Sequence, residues 1–72
     1  MMINSSEYRV VKTAQGFFEI HEVYYDKEDS PVTSSVYATR LREVSVNELK
    51  SKLKLIKAAF SKPVLDVNSI GK

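Results

Sequence analysis

Residues 20–26 read IHEVYYD, and the fold turns on whether these seven positions are a small active site or a strand with two unlike faces. Aromatic and β-branched residues dominate the surrounding FFEIHEVYY, the composition of a half-buried strand. Alternation then separates Ile20, Glu22 and Tyr24 from His21, Val23 and Tyr25. Towards the start of the chain, YRVVK followed by TAQG completes a β-hairpin. With Gly16 as the positive-φ residue of its loop, Val10 lies across from Phe18 and Tyr8 from Ile20, which gathers four apolar side chains on one face. In the other direction DKEDSP makes a loop, and Pro31 leads into a third strand over residues 32–39. In that register Tyr24, Val32, Val36 and Ala38 join Tyr8, Val10, Phe18 and Ile20 as the core face. The opposite face carries Arg9, Val11, Phe17, Glu19, His21, Val23, Tyr25, Thr33, Ser35 and Tyr37, a mixed set that one helix cannot cover and that needs water or a partner.

The stretch SVNELKSKLKLIKAAF, residues 45–60, is the clearest helix signal. Ser45 as N-cap with Glu48 three residues on makes a capping box. Val46, Leu49, Leu53, Ile56 and Phe60 recur at intervals of three and four, one stripe on a 3.6-residue period. That stripe is expected on the core face. Lys62 and Pro63 end the helix, because the residue before a proline avoids helical dihedrals. The expected fold is α+β in the order β-β-β-α, a three-stranded antiparallel β-meander with one amphipathic C-terminal helix packed on one face. Residues 7–66 form the ordered part of a single domain spanning 1–72; residues 1–6 and 67–72 are read as flexible tails.

Seventy-two residues leave room for one small core of modest stability, which a partner surface would help. With no cysteine the chain has neither disulfides nor thiolate metal ligands, and the expectation is a cytoplasmic protein. No export signal or membrane span is read from the sequence. Eleven basic against nine acidic residues give a net charge of +2, milder than that of dedicated nucleic-acid binders.

His21 beside Glu19 and Glu22 raises the possibility of catalysis. On a strand only Glu19 shares its face and could orient the imidazole, and no activated nucleophile accompanies the pair. One histidine with scattered carboxylates lacks metal-site spacing, and DKEDS lacks the glycine and distal glutamate of a calcium loop. A non-enzymatic protein without cofactor or metal is therefore expected. Glu22 falls on the core face, where it must lie at the sheet margin or pair with a base or with the hydroxyl of Tyr8 or Tyr24. Lys50, Lys54 and Lys57 run down one flank of the helix and read first as a solubilising edge. With Arg40 and Arg42 they offer an alternative, nucleic-acid-binding surface. The surplus of apolar and aromatic groups on the second sheet face, namely Phe17, His21, Val23, Tyr25 and Tyr37, favours a protein-interaction module, self-associating as a homodimer or adaptor-like. Leu55, on the helix side away from the stripe, adds to that surface.

YRVVK, IHEVYYD and the post-helical KPVLD, with a capped helix between them, resemble a family of small bacterial proteins of unknown function. The resemblance spans about Tyr8 to Asp66 and implies three strands followed by a helix, and no activity. Relatives often carry a tryptophan shortly after the proline-valine that opens the third strand; here Ser34 stands in that region. The order of elements is also similar to the strand-strand-strand-helix part of small antitoxin domains of the HicB type.

Overall fold

Four strands and one long helix follow one another as β1 (Ser5–Lys12), β2 (Phe18–Tyr25), β3 (Pro31–Ser34), α1 (Val46–Ala59) and β4 (Leu65–Asp66), with a 3-10 turn at Val67–Ser69. The structure is a computed structural model and describes residues 3–71. The α+β class and the antiparallel β1–β2–β3 unit agree with the sequence. The three-stranded meander does not. The sheet has the order β3-β2-β1-β4, with β4 parallel to β1, so it is mixed and curls into half a barrel. The physical reason lies at the free edge of β1: Leu65 and Asp66 pair with Val11 and Lys12 and take up backbone groups that an edge strand would leave open.

The β1–β2 register pairs Val10 with Ile20, Tyr8 with Glu22 and Lys12 with Phe18. This is two residues away from the expected pairing, and since strand side chains alternate with period two, each residue keeps its face. Thr13 sets the shift. Its amide donates to the Phe17 carbonyl (2.7 Å), its carbonyl accepts from Gly16 (3.0 Å) and its hydroxyl accepts the Phe17 amide (3.0 Å). The result is a three-residue loop with Gly16 at φ 92°, the left-handed position such loops demand. The β2–β3 loop repeats this plan. The Asp26 carboxylate accepts the amides of Glu28 and Ser30, and Asp29 takes φ 60°, a conformation that aspartate tolerates better than most residues.

The odd-numbered face of the β1–β2 ribbon, expected to be open, is the core. Val11 and Val23 are fully buried and pack with Tyr25 against Leu65, Val67 and Ile70. Residues 67–71, read from the sequence as a tail, run as a strap from β4 at one edge of the sheet to β3 at the other. Asp66 caps the 3-10 turn by accepting the Asn68 amide, and the Gly71 amide donates to the Pro31 carbonyl at 3.0 Å. Two isolated apolar residues, Val67 and Ile70, thus supply the cover that one helix could not.

Helix α1 packs on β1 from the even side, sharing a cleft with Ser6, Tyr8 and Glu22. Its N-cap is as expected, with Ser45 in extended dihedrals and its hydroxyl accepting the Glu48 amide at 3.1 Å; of the capping box only this half is formed among the described residues. Its rotation is not. The buried strip is Ile56 and Ala59 with half-buried Lys52, and of the expected stripe only Ile56 is buried. Lys52 reaches out of this strip to Glu43 (2.9 Å), an aliphatic stem covering apolar surface beneath a charged head. Among the described residues no helix is long and apolar enough to cross a membrane.

Truncation after Asp66 is expected to lower stability by at least about 2 kcal/mol, since it strips the apolar cover from Val11 and Val23. Urea unfolding followed by circular dichroism measures this; a tail without structural role would leave the midpoint unchanged.

Candidate functional site

His21 sits on β2 with 7% of its surface exposed. As expected from strand alternation, Glu19 reaches the ring, its Oε1 lying 2.9 Å from Nε2. On the other side Nδ1 lies 2.9 Å from the Ser35 carbonyl oxygen and 3.2 Å from the Ser35 hydroxyl. A carboxylate, an imidazole and a serine in line suggest nucleophile activation, but the hydrogen-bond directions oppose it. A carbonyl oxygen can only accept, so Nδ1 carries a proton and has no free lone pair with which to take one from serine. The Ser35 hydroxyl itself donates to the Tyr37 carbonyl (2.9 Å). The trio works as a clip that holds the segment after β3 against β2, reinforced by the Ser35 and Thr39 amides on the Glu22 and Ile20 carbonyls.

A denser cluster lies where β1, β2 and the end of α1 meet. Arg9, on the buried odd face, donates from Nη1 to the Tyr25 hydroxyl (2.8 Å) and to Glu7 (3.5 Å), and from Nη2 to the Pro63 carbonyl (2.7 Å). Its Nε is buried without a partner among the described residues. Glu7 accepts from Tyr25 (2.9 Å) and from Lys62. One guanidinium therefore joins β1, β2 and the turn after the helix, and its charge is offset by Glu7, the arrangement that makes burial of an arginine tolerable. Desolvation opposes ionisation of Glu7. The bonds from Lys62 and Tyr25 and the charges of Lys62 and Arg9 outweigh it and hold the carboxyl below its ordinary 4.5. The Tyr25 phenol is pushed up by burial and by its bond to Glu7, against the pull of Arg9.

Two clefts open around this cluster and share Ser6, Glu7 and Lys62. One, of about 440 Å³, reaches Arg9, Tyr25 and Asp29; the other, of about 290 Å³, runs under α1 past Tyr8, Glu22, Leu55 and Ala58. In the second, Glu22 is half-buried and accepts from the hydroxyls of Ser6 (2.9 Å) and Tyr24 (3.2 Å). The tyrosine alternative set out for Glu22 is thus the one formed. Its bond and then its charge push the Tyr24 phenol up.

The surface expected on the second sheet face is not there. Phe17 and Tyr37 are exposed, at a hairpin tip and in the segment after β3, whereas His21, Val23 and Tyr25 are interior. Sequence alternation placed these three correctly on one face, but the strap occupies it. Exposed apolar side chains stand at the hairpin tip (Phe17, Phe18), in the segment before α1 (Val36, Tyr37, Leu41, Val44), where Phe18 and Val36 were expected in the core, and along α1, where Val46, Leu49, Leu53 and Phe60 are 69%, 37%, 44% and 69% exposed. At 3.6 residues per turn this ridge lies between the docked strip and the flank bearing Lys50, Lys54 and Lys57. Those lysines, Arg40 and Arg42 are all exposed. The loop that carries the arginines is anchored through Glu43 to Lys52 on the docked side of the helix. Leu55 lies apart from the ridge, at the rim of the smaller cleft.

Among the described residues no group of three histidine, cysteine or acidic side chains could hold a metal ion. Compared with known proteins, the chain matches no family model, no curated protein and no solved structure.

Because Glu7 titrates lower in the folded chain than in the unfolded one, its contribution to stability is present above pH 4.5 and lost as the pH falls below it. Glu7→Gln is therefore expected to flatten the loss of thermal stability between neutral and acidic pH; an unchanged slope in melting temperature against pH would show that the cluster does not couple to folding.

Proposed function

We propose that this protein is a non-enzymatic, adaptor-like interaction module that binds an acidic amphipathic segment of another protein along the outer ridge of α1. The observation behind this reading is the rotation of the helix. A helix with five apolar residues at core spacing fully buries only one of them and leaves Val46 and Phe60 largely, and Leu49 and Leu53 partly, in water, although burying a side chain of this size contributes about 1.5–3 kcal/mol. An exposed row of this kind beside polar residues is the ordinary form of a groove-binding helix surface. Lys50, Lys54 and Lys57 along one border complement glutamates or aspartates in the partner.

The same lysines weigh against a symmetric antiparallel pairing of two α1 helices, which would bring one lysine flank against the other. They also separate this reading from nucleic-acid binding, in which the basic residues would make the contact and the apolar ridge would remain exposed. The cysteine-free chain fits action in a reducing compartment such as the cytoplasm.

A designed helical peptide with leucines on one face and glutamates on the other serves as the probe. Titrated into isotope-labelled protein, it is expected to shift the α1 resonances from Val46 to Phe60 and leave those of His21 and Val23 in place. Leu53→Asp should weaken binding by about tenfold or more with no loss of fold. Saturable binding of DNA or RNA that Leu53→Asp does not affect would overturn the proposal. So would a dimer in light scattering at high micromolar concentration that Leu53→Asp dissolves.

A further inference from the structure

We propose that the smaller cleft, between α1 and the even face of the β1–β2 ribbon, binds an ammonium group carried on an aliphatic stem, with Glu22 as its counter-ion. This goes beyond the ridge on α1, since the cleft is lined by Leu55 and Ala58 on another side of the helix.

Charge accounting in the cleft motivates the assignment. Three ionic side chains line it: Glu7, Glu22 and Lys62. Lys62 is committed to Glu7, which also faces Arg9. Glu22 makes no ion pair among the described residues, only the two bonds from neutral hydroxyls, Ser6 on Oε2 and Tyr24 on Oε1. These bonds fix the carboxylate without cancelling its charge. A half-buried carboxylate so held is desolvated in part and has no direct ion-pair partner, whereas the two cations nearby, Lys62 and Arg9, are both bonded to Glu7; a cation arriving beside Glu22 gains the attraction that burial makes stronger.

The remaining walls select the kind of cation. Tyr8 lines the cleft and offers an aromatic ring to an ammonium group. Leu55 and Ala58 offer methyl groups to a hydrocarbon stem. A volume of about 290 Å³ is at the lower end for ligand sites, which suits a four-carbon amine and not a nucleotide or a cofactor. This chemistry is shared by a lysine side chain of another protein and by a free alkyl diamine.

The probes are butylammonium chloride, Nα-acetyl-lysine methylamide and 1,4-diaminobutane, each titrated into isotope-labelled protein against sodium chloride at matched ionic strength. The expected result is saturable shifts at Tyr8, Glu22, Tyr24 and Leu55 with a millimolar Kd, weakened about tenfold or more by Glu22→Gln and unaffected by Glu48→Gln. Tighter binding of the lysine derivative supports a protein side chain as the source; tighter binding of the diamine supports a free amine. Tyr8→Leu, which keeps an apolar wall, should weaken binding severalfold through loss of the ring. Shifts no larger than those in sodium chloride, or equal affinity in Glu22→Gln with the Val11 and Val23 resonances unmoved, would overturn the proposal. Neither result bears on the α1 ridge, which the acidic peptide tests separately.

Discussion

The odd face of the β1–β2 ribbon has to be kept from water, and the rest of the structure follows from how this is done. Val11, Val23 and Tyr25 stand on one side of the sheet while the single helix is needed on the other, where Tyr8, Val10 and Ile20 lie. Among the described residues α1 is the one α-helix. Leu65, Val67 and Ile70 cover the odd face instead, which requires the chain to pass along β1 as β4 and then cross to β3. The register shift opposite Tyr24 and Tyr25 leaves Val32 as an extra residue in β3, and a bulge bends the strand that carries it, here beside the point where the strap arrives.

Much of this was legible from local pattern. Alternation sorted the residues of β1 and β2 onto their faces, the Ser45 cap marked the start of α1, and Pro63 marked the stop. The strap was not legible, because Val67 and Ile70 are single apolar residues among polar ones with no period to announce them. Which face is interior was therefore misread: alternation says that two faces differ, but not which one the far end of the chain will meet. The rotation of α1 was missed for a related reason. The apolar stripe predicts burial only where a partner surface exists, and Lys52 can substitute for a leucine at the docked edge by laying its stem along the core. Of the residues singled out for a surface, Phe17 and Tyr37 are exposed as expected, whereas His21, Val23 and Tyr25 are interior because the side was misread. Arg9 was placed on the open face and given no role, since nothing local distinguishes an arginine facing solvent from one that joins three elements.

The polar groups divide by what their partners leave unsatisfied. His21 has acceptors on both ring nitrogens and serves to hold the segment after β3, so the residue that most suggested chemistry is occupied with structure. Arg9, Glu7, Tyr25 and Lys62 form a bonded set in which one carboxylate faces two cations. Glu22 is different: two hydroxyls fix it, and among the described residues it makes no ion pair. On the apolar side, α1 leaves a ridge uncovered beside three lysines. One of these features asks for a positive group and the other for a negative one, and they lie on different sides of the same helix.

The bond from Arg9 to Pro63 spans 54 positions of the chain, and the β1–β4 pairing is of the same range. Contacts of such separation form late, because the loop they close must first surrender its entropy. Until they form, the hairpin exists as a two-stranded ribbon with a naked strand edge and two valines facing solvent, the kind of transient species through which chains stick to one another. A protein built this way is most vulnerable to aggregation in the interval before its last few residues fall into place, and its yield on refolding depends on concentration more than its native stability would suggest.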